Sequence, residues 1–164
     1  MRQFLAVLIA SLAAALAPAL AITCLFFALD HDNPNSIWPL VLLFATFVSL
    51  AHTLLLGLVA AGWLLRTGKF RALPMLSVGL IIGAVPAAIW QHPWRQAGTR
   101  SSSWSNGVQT LDNGVLTLAG WIDYFQFIGY AAVLGAIGAI AFYFTYKGMS
   151  PNNSFKPNPL RGSA

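Results

Sequence analysis

The chain has 164 residues, of which 57% are hydrophobic and only 8% are charged. Globular proteins carry about 25% charged residues, so this composition excludes a water-soluble domain and predicts one membrane-embedded unit. The net charge of +5 comes from cations that stand singly or in threes between apolar blocks. Because they do not cluster on one face, nucleic acid is not expected as a partner.

Four long apolar blocks follow one another along the chain, and we expect each to be a membrane-spanning helix. A hydrocarbon core of about 30 Å needs roughly 20 helical residues, and a helix satisfies its own backbone hydrogen bonds in lipid. We therefore predict an all-α membrane protein, a four-transmembrane-helix bundle in one domain over 1–149. The predicted helices are 4–29, 37–65, 73–90 and 120–146.

The first block resembles a secretory signal peptide in one respect. The tripeptide at 19–21 matches an A-x-A cleavage site, and it follows an apolar run that begins behind Arg2. The apolar character continues without a break to Leu29, beyond the usual length of a signal core. We favour an uncleaved first helix over cleavage after Ala21.

The second block carries a candidate polar site. His52 lies near its middle, where a titratable side chain is rare in lipid and indicates a function by default. Ser49 and Thr53 stand beside it on one helix face, and the three could line a proton or substrate route. We favour the structural alternative, a packing face with a neutral imidazole hydrogen-bonded to a neighbouring helix. Either interpretation predicts that His52 faces protein while Leu55 faces lipid.

Small residues in the third and fourth blocks predict close helix packing. The third block contains a small-xxx-small motif, and the fourth repeats that spacing. Such residues let two helix backbones approach, but the spacing does not say whether the neighbour belongs to the same chain or to a second copy. A homo-oligomer therefore stays open. The residues are Gly79, Gly83, Ala131, Gly135 and Ala139.

The longest connection precedes the fourth helix. Asp112-Asn113-Gly114 lies between two apolar stretches and suits the turn of a β-hairpin over 108–118. An isolated hairpin is marginally stable in water, and nothing visible in the sequence would cover one. We therefore favour a fourth helix that starts early, near Val115.

Asp123 and Gln126 share a face with Tyr130 on the outer half of the fourth helix. A carboxylate at mid-membrane costs about 2.5–3.5 kcal/mol, so we place Asp123 at the interface and favour a structural role over a functional one.

Catalytic and metal-binding patterns are scarce. Cys24 is the only cysteine, glutamate is absent, and no P-loop, GxSxG or HExxH pattern occurs. General acid–base chemistry therefore has few candidates, and we expect no enzyme and no cofactor. Asp30, His31, Asp32 and His92 could offer metal ligands, but acidic residues are common in turns, so no metal site is expected.

Basic residues are divided unevenly between the two sides of the predicted bundle. Since short basic loops stay in the cytoplasm, we predict both termini inside (N-in/C-in) and the longer loop between the third and fourth helices outside. Only Arg95 and Arg100 would lie outside. The seven cations on the other side are Arg2, Arg66, Lys69, Arg71, Lys147, Lys156 and Arg161.

The C-terminal segment and the function are the remaining predictions from the sequence. Residues 150–164 are polar and proline-rich, which predicts a disordered cytoplasmic tail. Its end, 153–164, resembles a short ending of assorted bacterial reading frames, and we expect the protein to lie in the inner (plasma) membrane of a bacterium.

Within the lipid bilayer we expect an accessory or scaffold subunit that associates with other membrane proteins. The alternatives are an oligomeric transporter or channel subunit, and a metal-handling protein or membrane enzyme.

Overall fold

The computed structural model describes residues 2–30, 37–93, 97–105 and 107–149 and is mostly helical. Four of its helical spans are long and apolar enough to cross a membrane. Each span end lies within three residues of the bound predicted from the sequence. The spans are α1 (Arg2–Asp30); a second span made of α2 (Trp38–His52), a π-helical turn (Thr53–Gly57) and α3 (Leu58–Arg66); α4 (Ala72–Trp90); and α5 (Leu118–Met149).

Helix α5 packs between α4 and α1, and α1 in turn packs against α2. The core lies towards one end of the molecule, where a stripe of buried alanines on α1 meets Leu64 and Tyr146. A spacing of four residues places these alanines on one helix face. Cleavage after Ala21 would remove the whole stripe. The stripe consists of Ala6, Ala10 and Ala14.

The same end contains the loop between the second and third spans. Phe70 from this loop packs its ring against Tyr146 of α5, with centroids 5.2 Å apart. The second span ends in a Schellman motif, in which the Lys69 N–H donates to the Leu64 carbonyl at 3.0 Å. Gly68 adopts a φ of 68° there, and it is the helix cap that its position after the apolar block predicts.

A three-stranded antiparallel sheet precedes α5, so the chain is not all-α and the favoured early start of the fourth helix near Val115 is wrong. Strands β1 (Ser103–Ser105), β2 (Val108–Asp112) and β3 (Val115–Leu116) pair in the order β1-β2-β3. Asn113 and Gly114 join β2 to β3 with φ angles of 47° and 79°. Positive φ at both positions is the type I′ geometry that Asn-Gly favours.

The hairpin is stabilised by a third strand and by its contact with helix α5. Strand β1 adds a third strand, and β2 packs against the first turns of α5, where a Cβ atom on Gly120 would collide with the Thr110 carbonyl. Thr117 joins the two elements: its hydroxyl donates to the Gln109 carbonyl at 2.6 Å and accepts from the Gly120 N–H at 3.2 Å. Thr117 thereby caps α5 and ties the sheet to the helix end.

Candidate functional site

An open groove lies between the second span and helices α4 and α5. Its volume is about 690 Å³, within the range of roughly 300–1,000 Å³ that ligand sites occupy. Ala14 and Pro18 of α1 form its floor. Phe44 of α2 and Trp90 of α4 line it and are 69% and 68% exposed. The groove therefore opens sideways, between α2 and α4, towards the region that lipid would occupy.

The walls of the groove are almost entirely apolar. The α4 wall uses the helix face that runs from Met75 to Trp90, and the α5 wall runs from Phe127 to Phe142. Ser49, His52 and Thr53 of the second span interrupt this apolar surface on one side. The structure thus brings the three predicted polar residues together on one wall.

His52 is half-buried and faces the groove, whereas Leu55 is 72% exposed on the outer side of the span. Its Nδ1 lies 2.9 Å from the Val48 carbonyl oxygen. A carbonyl oxygen only accepts hydrogen bonds, so Nδ1 is the donor in this contact. This hydrogen bond stays within one helix, whereas the sequence predicts a partner on a neighbouring helix.

A π-helical turn follows His52 directly. The Leu58 N–H donates to the Thr53 carbonyl, five residues back rather than four. Such turns occur mostly as single insertions in α-helices, often at functional sites. Thr53 opens this turn and Gly57 closes it, and both line the groove.

The back of the groove is the tight contact between α4 and α5. A Cβ atom on Gly79 would lie 2.6 Å from the Gly135 carbonyl oxygen and 2.5 Å from the Ala139 methyl carbon. One on Gly83 would collide with the Ala131 carbonyl. The five predicted packing residues thus meet one another within a single chain.

A second, smaller pocket of about 360 Å³ lies between the end of α4, the sheet and the start of α5. Asp123 lines it and is itself exposed. Gln126 and Tyr130, predicted to share a face with Asp123, are also exposed but line neither cavity. Phe127 lines both the pocket and the groove. The polar lining consists of Gln91, Ser103, Thr110, Asp123 and Tyr124.

The predicted polar residues are therefore not all brought together: Ser49, His52 and Thr53 line the groove, Asp123 lines the pocket, and Gln126 lines neither. Sequence analysis missed Gln91, Trp90 and Phe127. No pattern in the chain could have identified them, because their role depends on how far the spans separate and where the sheet folds back.

Within the described residues, no three His, Cys, Asp or Glu side chains gather in a way that could hold a metal ion. Of the four candidate ligands weighed above, only His92 has a described side chain, and its ring packs against that of Tyr124 with centroids 6.2 Å apart. The side chain of Asp30, together with His31 and Asp32, lies outside the described residues.

Comparison of the chain with protein-family models, with curated protein sequences and with solved structures found no match.

Proposed function

We propose that this protein binds the apolar chain of a membrane-soluble molecule in its groove, without converting it chemically. The observation that carries the proposal is the length and the apolar lining of the groove. From Met75 to Trp90 the α4 wall is about 22 Å long at 1.5 Å per residue. The lining along that length is almost entirely apolar, and the volume of about 690 Å³ lies within the range of ligand sites.

A hydrocarbon chain suits this groove because it can contact apolar side chains along the whole length and leaves no polar group unpaired there. The length also fits, since about 22 Å is well over half of a hydrocarbon core of about 30 Å.

Binding is favoured over catalysis by the lining of the groove. Among the described residues that line it, His52 is the single titratable side chain, and none of them carries a carboxylate or a thiol. A lone imidazole without a second ionisable partner makes a poor proton relay. The predicted association as an accessory or scaffold subunit stays a prediction. A partner helix would have to use another surface, such as the outward face of α2.

We further propose that the protein spans the inner membrane of a bacterium with both termini in the cytoplasm. The loop with Lys69 and Arg71 lies at the same end as Tyr146 of α5, next to Lys147. A reporter active only outside the cytoplasm should work when fused at Ser102 and stay silent at Gly68. Activity at Gly68 would reverse the orientation.

The groove is tested by photolabelling. The full-length protein is reconstituted in phosphatidylcholine vesicles that contain phosphatidylcholine with a diazirine on one acyl chain, and labelled residues are located by mass spectrometry. We expect label on groove residues such as Val48 and Ala131 at several times the level on Leu55. Ser49→Phe, which places a ring in the groove, should reduce the groove label several-fold, and Ala87→Phe should do so from the opposite wall.

Leu55→Phe is the matched control, because it adds the same ring on the lipid-facing side of the same span. It should leave the groove label unchanged. Equal labelling of groove and lipid-facing residues in the unmodified protein would show only general lipid contact and would overturn the proposal.

A further inference from the structure

We infer that the groove and the pocket form one site for an amphiphile: the chain lies in the groove, and a head group with a primary ammonium lies beside Asp123. This inference rests on the proposed binding of an apolar chain. It adds the chemical class of the molecule and assigns a role to a carboxylate that the groove alone does not use.

The two cavities adjoin at the end of α4. Trp90, the last residue of that helix, lines the groove, and Gln91, the next residue, lines the pocket. Phe127 of α5 lines both. The polar pocket thus lies beside the apolar groove at the point where the third span ends. An amphiphile held there has its head at the edge of the bilayer and its chain in the core, as a lipid does.

The head group must supply the selectivity. A hydrocarbon chain contacts the groove walls by van der Waals packing, whatever head group it carries. Contacts in the groove are therefore similar for any chain of suitable length. Polar contacts in the pocket differ from one head group to the next, and they decide which amphiphile is retained.

The pocket is suited to a donor-rich cation. Asp123 contributes a carboxylate, which only accepts hydrogen bonds and attracts positive charge. The Ser103 and Thr110 hydroxyls, 3.0 Å apart, lie on the sheet side of the same pocket. A primary ammonium has three N–H donors for such acceptors. A quaternary ammonium has none, and an anionic head is repelled by the carboxylate.

A primary ammonium on a hydrocarbon chain occurs in two kinds of molecule, aminophospholipids and simple long-chain amines. The Gln91 amide and the two sheet hydroxyls could also donate to a phosphate, which only the phospholipid carries. The experiment therefore includes both.

The full-length protein is reconstituted in phosphatidylcholine vesicles that contain one diazirine probe at a time: phosphatidylethanolamine, phosphatidylcholine, phosphatidylglycerol or a long-chain alkylamine. Groove label is measured relative to label on Leu55 in the same sample. We expect about fivefold more groove label from phosphatidylethanolamine than from phosphatidylglycerol, because a charge contact exposed to water changes binding by about that factor. Asp123→Asn should bring the ratio close to one.

Asp112→Asn is the matched control, because Asp112 is an exposed carboxylate at the sheet turn that does not line the pocket. It should keep the unmodified ratio. Strong labelling by the alkylamine as well would show that the ammonium suffices, and labelling by phosphatidylethanolamine alone would show that the phosphate is also bound.

The two proposals fail differently. Equal groove labelling by all four probes, unchanged by Asp123→Asn, would overturn the assignment of the head group and leave chain binding intact. No excess of groove label over Leu55 with any probe would overturn both.

Discussion

Helix α4 makes two contrasting interfaces, one with α5 and one with the second span. Against α5, Gly79 and Gly83 allow backbone contact so close that a single methyl group would not fit. Facing the second span, the same helix lines a groove of about 690 Å³. Both interfaces are apolar, so hydropathy does not distinguish them.

The difference shows what holds membrane helices together. Lipid chains are as apolar as leucine, so no hydrophobic force closes a gap between two helices in a bilayer. Contact depends instead on complementary shape, and small residues provide that shape between α4 and α5. On the groove side, α2 presents larger side chains such as Phe44 and Val48, and it obtains its packing from α1. A gap can therefore persist there and accept a ligand.

Substitutions in the tight interface between α4 and α5 should cause the largest loss of stability. Gly83→Ala places a methyl group against the Ala131 carbonyl, and overpacking of this kind lowers the free energy of unfolding by about 1–3 kcal/mol. Gly129→Ala is the control, because a Cβ atom there meets open space and alanine favours a helix by about 0.5–1 kcal/mol. Reversible unfolding in mixed detergent measures both. Equal stability of the two variants would show that α4 and α5 do not approach so closely.

The contact between sheet and helix should be the next most sensitive. Gly120→Ala pushes against the Thr110 carbonyl, and we expect it to reduce the hydrogen-exchange protection of the β2 amides by roughly tenfold, about 1.4 kcal/mol. The effect should stay local, because the sheet packs on only one end of α5. Gly148→Ala, with open space around it, should leave protection unchanged. If Gly120→Ala also leaves the protection of the β2 amides unchanged, the hairpin does not depend on its contact with α5.

A smaller effect is expected on the groove side. His52→Leu removes a side chain whose hydrogen bond lies within its own helix. Polar contacts in bilayers average about 0.6 kcal/mol, so the free energy of unfolding should fall by less than about 1 kcal/mol. A pH-dependent flux through reconstituted vesicles that this variant abolishes, with folding intact, would instead favour the transporter alternative.

The smallest effect is expected from the tail. Deletion of 152–164 should leave insertion and thermal stability in detergent unchanged, because its polar sequence contains few apolar residues to bury. A clear fall in melting temperature would mean that the segment packs against the bundle.

Several features follow from local sequence. The four spans and their bounds follow from hydropathy, since bilayer thickness requires a minimum run of apolar residues. The cap at Gly68 follows from local backbone geometry, and so does the turn at Asn113-Gly114. Local propensity also favours the hairpin made by β2 and β3. The prediction of a helix start near Val115 is wrong because β1 and the close contact at Gly120 stabilise the hairpin.

Only the tertiary structure decided which faces of the spans touch and which stand apart. The small residues of the third and fourth blocks predicted close packing, yet their pairing with each other depends on the arrangement of the whole chain. The groove depends on it still more, because a gap is defined by the distance between helices and has no residue pattern of its own. For the same reason Ser49, His52 and Thr53 could be placed on one helix face from the sequence, while the cavity they line, and its junction with the Asp123 pocket, could not.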